Sequence, residues 1–199
     1  GAVIAVMGGD HSVTIPVAKG LDKYDDICAI QFDAHLDWAD APGGQKYCHN
    51  SPMRRMSEMD HITKMCQIGI RGLGSSRKSD FDAARAFGSV LISAREAKKL
   101  GAEEIVARIP SAKHYFITLD IDGLDAGISR GTGTPAPGGL DYDLVNDVLY
   151  GIAQKGDVVG FDLVEVAPSC DPSGVTERVA STLMVNFLGY ILKAKKERS

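Results

Sequence analysis

The sequence predicts an α/β fold in three layers, a mainly parallel sheet between two layers of helices. Short apolar runs alternate with longer helical patterns, the signature of βαβ units. Several of those runs are continuously apolar, as strands covered on both faces must be. The 199 residues, 44% hydrophobic and 24% charged, suffice for one domain with a sizeable core, so 1–199 reads as a single unit.

In chain order, the first strand is expected at 2–7, ended by Gly8 and Gly9, and a helix follows over 12–20, closed by Gly20. The apolar runs at 27–32 and 65–70 read as the second and third strands, and 78–87 as a helix. A strand at 90–92 precedes two helices, 94–100 and 102–109, on either side of Gly101. The fifth strand is expected at 115–119. The Gly/Pro-rich stretch 123–139 then reads as a long loop, and long loops in compact domains usually carry function. A helix over 141–154, a strand over 158–163 and a helix over 173–194 complete the chain. The last places Val175, Val179, Leu183, Phe187 and Ile191 at near-helical spacing.

Composition excludes several classes of partner. With 22 Lys and Arg against 26 Asp and Glu, the net charge is −4 and no basic block exists. That argues against nucleic acid or an anionic membrane surface and favours neutral or cationic ligands. The longest apolar runs fall far short of the roughly 20 residues of a membrane span. Cys28, Cys48, Cys66 and Cys170 are scattered without a CxxC pair, which fits a reduced, cytoplasmic setting. The chain opens directly on a strand-like run, with neither an initiator Met nor a basic leader, and is expected to be the start of a fragment.

Acids and imidazoles collect at the carboxyl ends of the expected strands, where an open parallel sheet binds its ligands. Gly8-Gly9-Asp10-His11-Ser12 follows the first strand, Asp33-Ala34-His35-Leu36-Asp37 the second, Asp120-Ile121-Asp122 the fifth, and Glu165 the last. On an extended chain residues i and i+2 share a face, so Asp33, His35 and Asp37 are expected to point together, and so are Asp120 and Asp122. Carboxylates brought this close repel unless cations neutralise them, and a bound metal is the economical explanation. Imidazole and carboxylate donors without thiolate suit Mn²⁺, Fe²⁺, Co²⁺, Ni²⁺ or catalytic Zn²⁺. Six candidate ligands are more than one ion usually takes, which implies two ions. Taken alone, His11 reads as a satisfied core histidine and Asp10 as a helix N-cap. Four such clusters at four strand ends favour function over coincidence. The GxGxxG and GxxxxGK[ST] fingerprints of nucleotide sites are missing, as is the GxSxG of a serine hydrolase, so a metal-activated water is preferred over Ser12 as nucleophile.

These segments resemble the ureohydrolases, the arginase and agmatinase family of binuclear manganese enzymes. The matching stretches are GGDHSVT from Gly8, FDAHLD from Phe32, LDIDGLD from Leu119, GTGTPAPGGL from Gly131 and DLVEVAP from Asp162. The resemblance implies an arginase-like fold and two Mn²⁺ per chain, held by His11, Asp33, His35, Asp37, Asp120 and Asp122, with Asp33 and Asp120 bridging. It implies that Asp37 also orients the activated water and that Glu165 receives the guanidinium of a small cationic substrate. His49 would relay a proton to the leaving amine, and Thr134 would lie near the guanidinium. It further implies a homo-oligomer, trimeric or hexameric. The stretches 49–55 and 67–72 look like the agmatinase branch, which makes agmatine, cleaved to putrescine and urea, the expected substrate. Guanidinobutyrate, guanidinopropionate and proclavaminate-type substrates stay open, with Arg54, Arg55 and Arg71 as candidate carboxylate partners or, in the blander reading, as salt-bridge residues. A metallohydrolase acting on acetylated amines ranks low, since the His-Asp pairs of deacetylases are missing.

The chain also departs from the family pattern. Asn50 and Ser51 stand where the family has Gly and Thr or Ala after its loop histidine. Asp125-Ala126 and Arg130-Gly131 replace Asp-Pro and Pro-Gly steps, which predicts a loop less restricted in the unfolded chain. The family's N-terminal strand and helix are not in this sequence, which predicts an exposed sheet edge and keeps an inactive metal-binding fragment as the alternative.

Overall fold

A computed structural model describes residues 2–72 and 76–198; of the expected unit 1–199, residues 1, 73–75 and 199 lie outside them. All six expected strands form: β1 (Ile4–Met7), β2 (Ile27–Phe32), β3 (Ile62–Ile70), β4 (Val90–Ser93), β5 (His114–Asp120) and β6 (Asp157–Val164). They make one sheet in the order β1-β6-β5-β2-β3-β4, parallel at every pairing. β1 lies at one edge of the described sheet, where Met7 is 77% exposed.

Period-two alternation sends the two faces of each strand into separate cores. Cys28, Ile30 and Phe32 of β2 pack with α4 (Ala94–Arg108), α5 (Tyr142–Lys155) and α6 (Val175–Arg198) through Ala97, Ile105, Val145, Leu149, Leu183 and Phe187. Ile27 and Ala29 face the other way, onto α1 (Thr14–Lys19), α2 (Pro52–Met56) and α3 (Lys78–Phe87) through Ala18, Met53, Met56 and Ala84. The three-layer α/β architecture read from the sequence is therefore the one formed. Each fully buried Ile, Leu or Phe contributes about 1.5–3 kcal/mol of transfer free energy to these cores. Cys28 and Cys66 are buried free thiols, and burial pushes the Cys28 pKa up to about 12. No described helix is long and apolar enough to cross a membrane.

The helices differ from expectation in four places. The span 12–20 divides into a single 3-10 turn, His11–Val13, and α1; Asp10 caps the turn by accepting the Ser12 N–H at 3.2 Å. The two helices expected around Gly101 run on as α4, broken locally because Gly101 takes φ 73°. The five-residue α2 is too short for periodicity to reveal. Finally, α6 continues beyond the expected 194, ending in Lys195, Lys196 and Arg198, whose charges suit a helix C-terminus.

Candidate metal centre

Chain order reverses between β2 and β5: β3 and β4 lie beyond one, β6 and β1 beyond the other. That is the topological switch point, outside whose carboxyl ends open α/β sheets bind ligands. Asp33 directly follows β2, and Asp120 ends β5 beside it. The approach is close, since a Cβ on Gly123 would lie 2.8 Å from the Asp33 amide nitrogen. His11 arrives from the turn after β1, and Glu165 follows β6.

Five of the six candidate ligands fall into two groups of donor atoms: His11, Asp33 and Asp120 form one, and Asp33, His35 and Asp122 the other. Asp37, the sixth, adjoins the first group through His11. Asp33 is common to both, with Oδ2 3.2 Å from His11 Nδ1 and Oδ1 3.3 Å from His35 Nδ1. Asp120 Oδ2 lies 3.3 Å and Asp37 Oδ2 2.8 Å from His11 Nδ1, while Asp122 Oδ2 is 3.0 Å from His35 Nδ1. The route to this arrangement differs from the shared-face expectation. The chain leaves the extended conformation at Phe32, and Asp37 takes φ 51°, so Asp37 turns to His11 while His35 turns to Asp122. A 3-10 turn over Ile121–Gly123 likewise separates Asp122 from Asp120 and sends each to its own imidazole.

Backbone and side-chain donors fix these carboxylates. The His35 N–H donates to Asp33 Oδ1 (2.5 Å) and the Gln31 amide to Asp33 Oδ2 (2.6 Å). Asp120 accepts the Asp122 N–H, and Asp122 accepts the Ala34 N–H and the Thr134 hydroxyl. Burial opposes charge on His11, yet Asp37, Asp120 and Asp33 together raise its pKa well above the ordinary histidine value. Asp122 and Asp33 raise that of His35 to about 11. Burial and the Asp33 charge lift Asp37 to about 7 and raise Asp120 strongly, while Asp33, between two imidazoles, falls despite its burial. His11 Nδ1 is buried and makes no directed hydrogen bond although three carboxylate oxygens surround it, the geometry of donors aimed at a common centre. The donor set fits a pair of divalent ions.

Above the cluster lies a cavity of about 380 Å³, lined by Asp10, His35, Asp37, His49, Asn50, Asp120, Gly133, Thr134 and Glu165. Glu165 holds φ 65°, donates its N–H to the Gly9 carbonyl and accepts the His11 N–H at 2.7 Å, so its carboxylate is anchored at the rim. His49 sits on a loop stitched by buried Ser51, whose hydroxyl lies 3.0 and 2.9 Å from the carbonyls of Lys46 and Cys48 and accepts the Cys48 N–H. Asn50, beside it, accepts from the Cys48 thiol. The two departures from the family pattern therefore build this loop.

None of the three candidate arginines lines the cavity. Arg54 pairs with Glu58, and Arg55 is buried against Asp40 and Glu58. Arg71 donates to the carbonyls of Gly69, Asp122, Gly123, Leu124, Ala136 and Pro137, tying the long loop to the end of β3. Asp125 adds bonds from the N–H groups of Gly127, Gly138 and Gly139, so the folded loop is closely tied where two of the family's prolines are replaced.

The arginase-family model matches residues 1–189. The guanidinopropionase of Pseudomonas aeruginosa is 36% identical over 189 residues, covering 92% of this chain and 58% of its own. The agmatinase of Neisseria gonorrhoeae is 34% identical over 197 residues, covering 96% and 60%. Among solved structures, proclavaminate amidinohydrolase of Streptomyces clavuligerus superposes with a TM-score of 0.86 at 32% identity, over 97% of this chain and 65% of that one. The chain spans about 60% of the length of the curated relatives it matches.

Proposed function

Since the chain belongs to the arginase family, we propose that it hydrolyses a guanidino compound and that its substrate is agmatine, released as putrescine and urea. One observation carries the choice of substrate: the cavity is lined by Asp10, Asp37, Asp120 and Glu165, with no Lys or Arg among its described lining residues. A substrate cationic at both ends suits those walls, whereas a guanidino acid would bring a carboxylate against them.

His11, Asp33, His35, Asp37, Asp120 and Asp122 would hold two Mn²⁺, for which this oxygen-rich donor set is suited. When bound, the ions supply a water whose pKa is brought from 15.7 toward about 7, a nucleophile available at neutral pH. Glu165 takes the planar guanidinium in a paired hydrogen bond and sets its carbon over the cluster. Thr134, at the same wall, keeps Asp122 in place. Asp37 accepts a hydrogen bond from the incoming water and orients it. With the ions bound, the water's oxygen would join the guanidinium carbon while the water's protons pass by way of Asp37 and His49 to the alkyl nitrogen, whose bond to that carbon would break to free urea and the protonated amine. We read residues 1–199 as one catalytic unit of a cytoplasmic homo-oligomer, trimeric or hexameric.

A guanidino acid is the second reading. A neighbouring cleft shares Asn50 with the cavity and carries Arg77, which offers a cation to a longer substrate's carboxylate. Urea release from agmatine, arginine, guanidinobutyrate, guanidinopropionate and guanidine, after Mn²⁺ loading and with Asp120→Ala as control, tests the proposal. Turnover of agmatine that vanishes in the variant is expected. Turnover of a guanidino acid instead selects the second reading, and silence on the whole panel with two ions bound selects an inactive metal-binding fragment.

A further inference from the structure

Beneath the metal ligands, a row of polar side chains crosses the middle of the sheet in register. Gln67 of β3 faces Gln31 of β2, Gln31 faces Thr118 of β5, and Thr118 faces Asp162 of β6. All four are fully buried in the middle of the sheet, with apolar residues on either side of them along each strand. Buried amides are tolerated only where their polar atoms are paired, and the glutamines are paired in one direction. The Ser89 hydroxyl donates to Gln67 Oε1 at 3.0 Å. Gln67 Nε2 donates to Gln31 Oε1 at 2.6 Å and to the Leu36 carbonyl at 2.7 Å, and Gln31 Nε2 donates to Asp33 Oδ2 at 2.6 Å.

The direction follows from the acceptor at the end of the line. An ionised carboxylate only accepts, so Gln31 must present its nitrogen to Asp33 and its oxygen to Gln67. Gln67 must then present its nitrogen, leaving its oxygen for Ser89. Neither amide can flip without setting like dipoles against each other. The line meets the segment 33–37 twice: at Asp33, the carboxylate common to both donor groups, and at Leu36, which carries Asp37. An amide also suits this place chemically. A Lys or Arg on Asp33 would neutralise the charge the ions require, whereas a neutral donor fixes the carboxylate and leaves its charge intact.

We propose that Gln31, held in orientation by Gln67 and Ser89, is a positioning residue for the metal pair that aims Asp33 Oδ2 at the ion shared with His11 and Asp120. The inference rests on the metal reading above. Outer partners of metal ligands typically change affinity by about 10–100-fold. Titration of the metal-free chain with Mn²⁺ alone is therefore expected to show two ions for the wild type and a loss of about 10–100-fold at one of them in Gln31→Met. The second ion changes less, because Asp33 Oδ1 keeps its bond from the His35 N–H. The thermal midpoint of the metal-free variant falls, because buried Asp33 Oδ2 loses its donor, and the increment added by Mn²⁺ shrinks as well. A role in core packing alone would lower the midpoint and leave that increment unchanged. Gln31→Glu, which removes the donor but keeps an oxygen for Gln67, is expected to lose the same ion. Both affinities within twofold of wild type in a folded Gln31→Met would overturn the inference. Should that variant not fold, Ser89→Ala decides: a loss of about two- to fivefold at one ion supports the line, and no change refutes it. A wild-type chain that binds no Mn²⁺ overturns the metal reading, and this inference with it.

Discussion

Replacing Arg71 with Ala removes a side chain that joins the end of β3 to both ends of the long loop. Its guanidinium reaches six backbone carbonyls at 2.6–3.1 Å, from Gly69 on one side to Asp122, Gly123, Leu124, Ala136 and Pro137 on the other. A hydrogen bond from a charged group is worth about 1.5–3 kcal/mol. Five N–H donors cannot serve six acceptors fully, and the half-buried side chain leaves several carbonyls within reach of water. Crediting two bonds at the low end of that range gives a loss of about 3 kcal/mol, or roughly 6–12 °C in the unfolding midpoint for a chain of this size. Arg71→Lys, with three donors on a single nitrogen, recovers less than half. Thermal unfolding of the metal-free proteins measures the loss, and amide hydrogen exchange over 123–139 locates it. A midpoint within about 3 °C of wild type, with exchange in the loop unchanged, would refute the assignment of Arg71 as its anchor.

Glu165→Gln is expected to lower kcat/KM for agmatine by roughly 30- to 200-fold, the equivalent of about 2–3 kcal/mol of guanidinium pairing, with Mn²⁺ affinity unchanged; urea release and metal titration together check this. Gly123→Ala pushes a methyl to 2.8 Å from the Asp33 amide, costing about 1–3 kcal/mol and displacing the shared ligand, so unfolding and Mn²⁺ titration should both shift. Asp26 accepts from Lys64, Thr63 and the Lys113 N–H, which lower its pKa to about 2 against roughly 3.9 unfolded. A lowered acid contributes stability that is present above the unfolded pKa and lost as pH falls through the folded one. The stability gap between wild type and Asp26→Asn, about 1 kcal/mol after solvent screening, should hold above pH ~5 and close between pH ~4 and ~2. Asn tolerates the φ of 50° at this position, so the comparison isolates the charge.

Much of the fold, and the clustering of the candidate site's acids and imidazoles, was legible in the sequence because each rests on local pattern. The continuous apolarity of 27–32 marked a strand buried on both faces, and β2 occupies those six residues. His11, Asp33, Asp120 and Glu165 could be placed on one rim because the strand ends put them there. Alternation, however, misdescribed how Asp33, His35 and Asp37 divide: a strand's period stops applying where the strand stops, and the φ of 51° at Asp37 leaves no trace in composition. The salt-bridge reading of Arg54 and Arg55 agrees with the structure, but their partners, and the carbonyls that Arg71 reaches, were hidden, since both depend on tertiary approach. Gln31 and Gln67 did leave a signal, as polar residues inside otherwise apolar strand runs, but only the register between β2 and β3 reveals that they face each other.

The central claim is that one carboxylate, Asp33, joins two groups of donors into a single two-ion site. Electron paramagnetic resonance of the Mn²⁺-titrated chain tests it most directly. The account predicts saturation at two ions per chain with a spectrum of exchange-coupled Mn²⁺ pairs, and loss of the coupled signal in Asp33→Ala. A single ion at saturation, or two ions with uncoupled spectra, would contradict it.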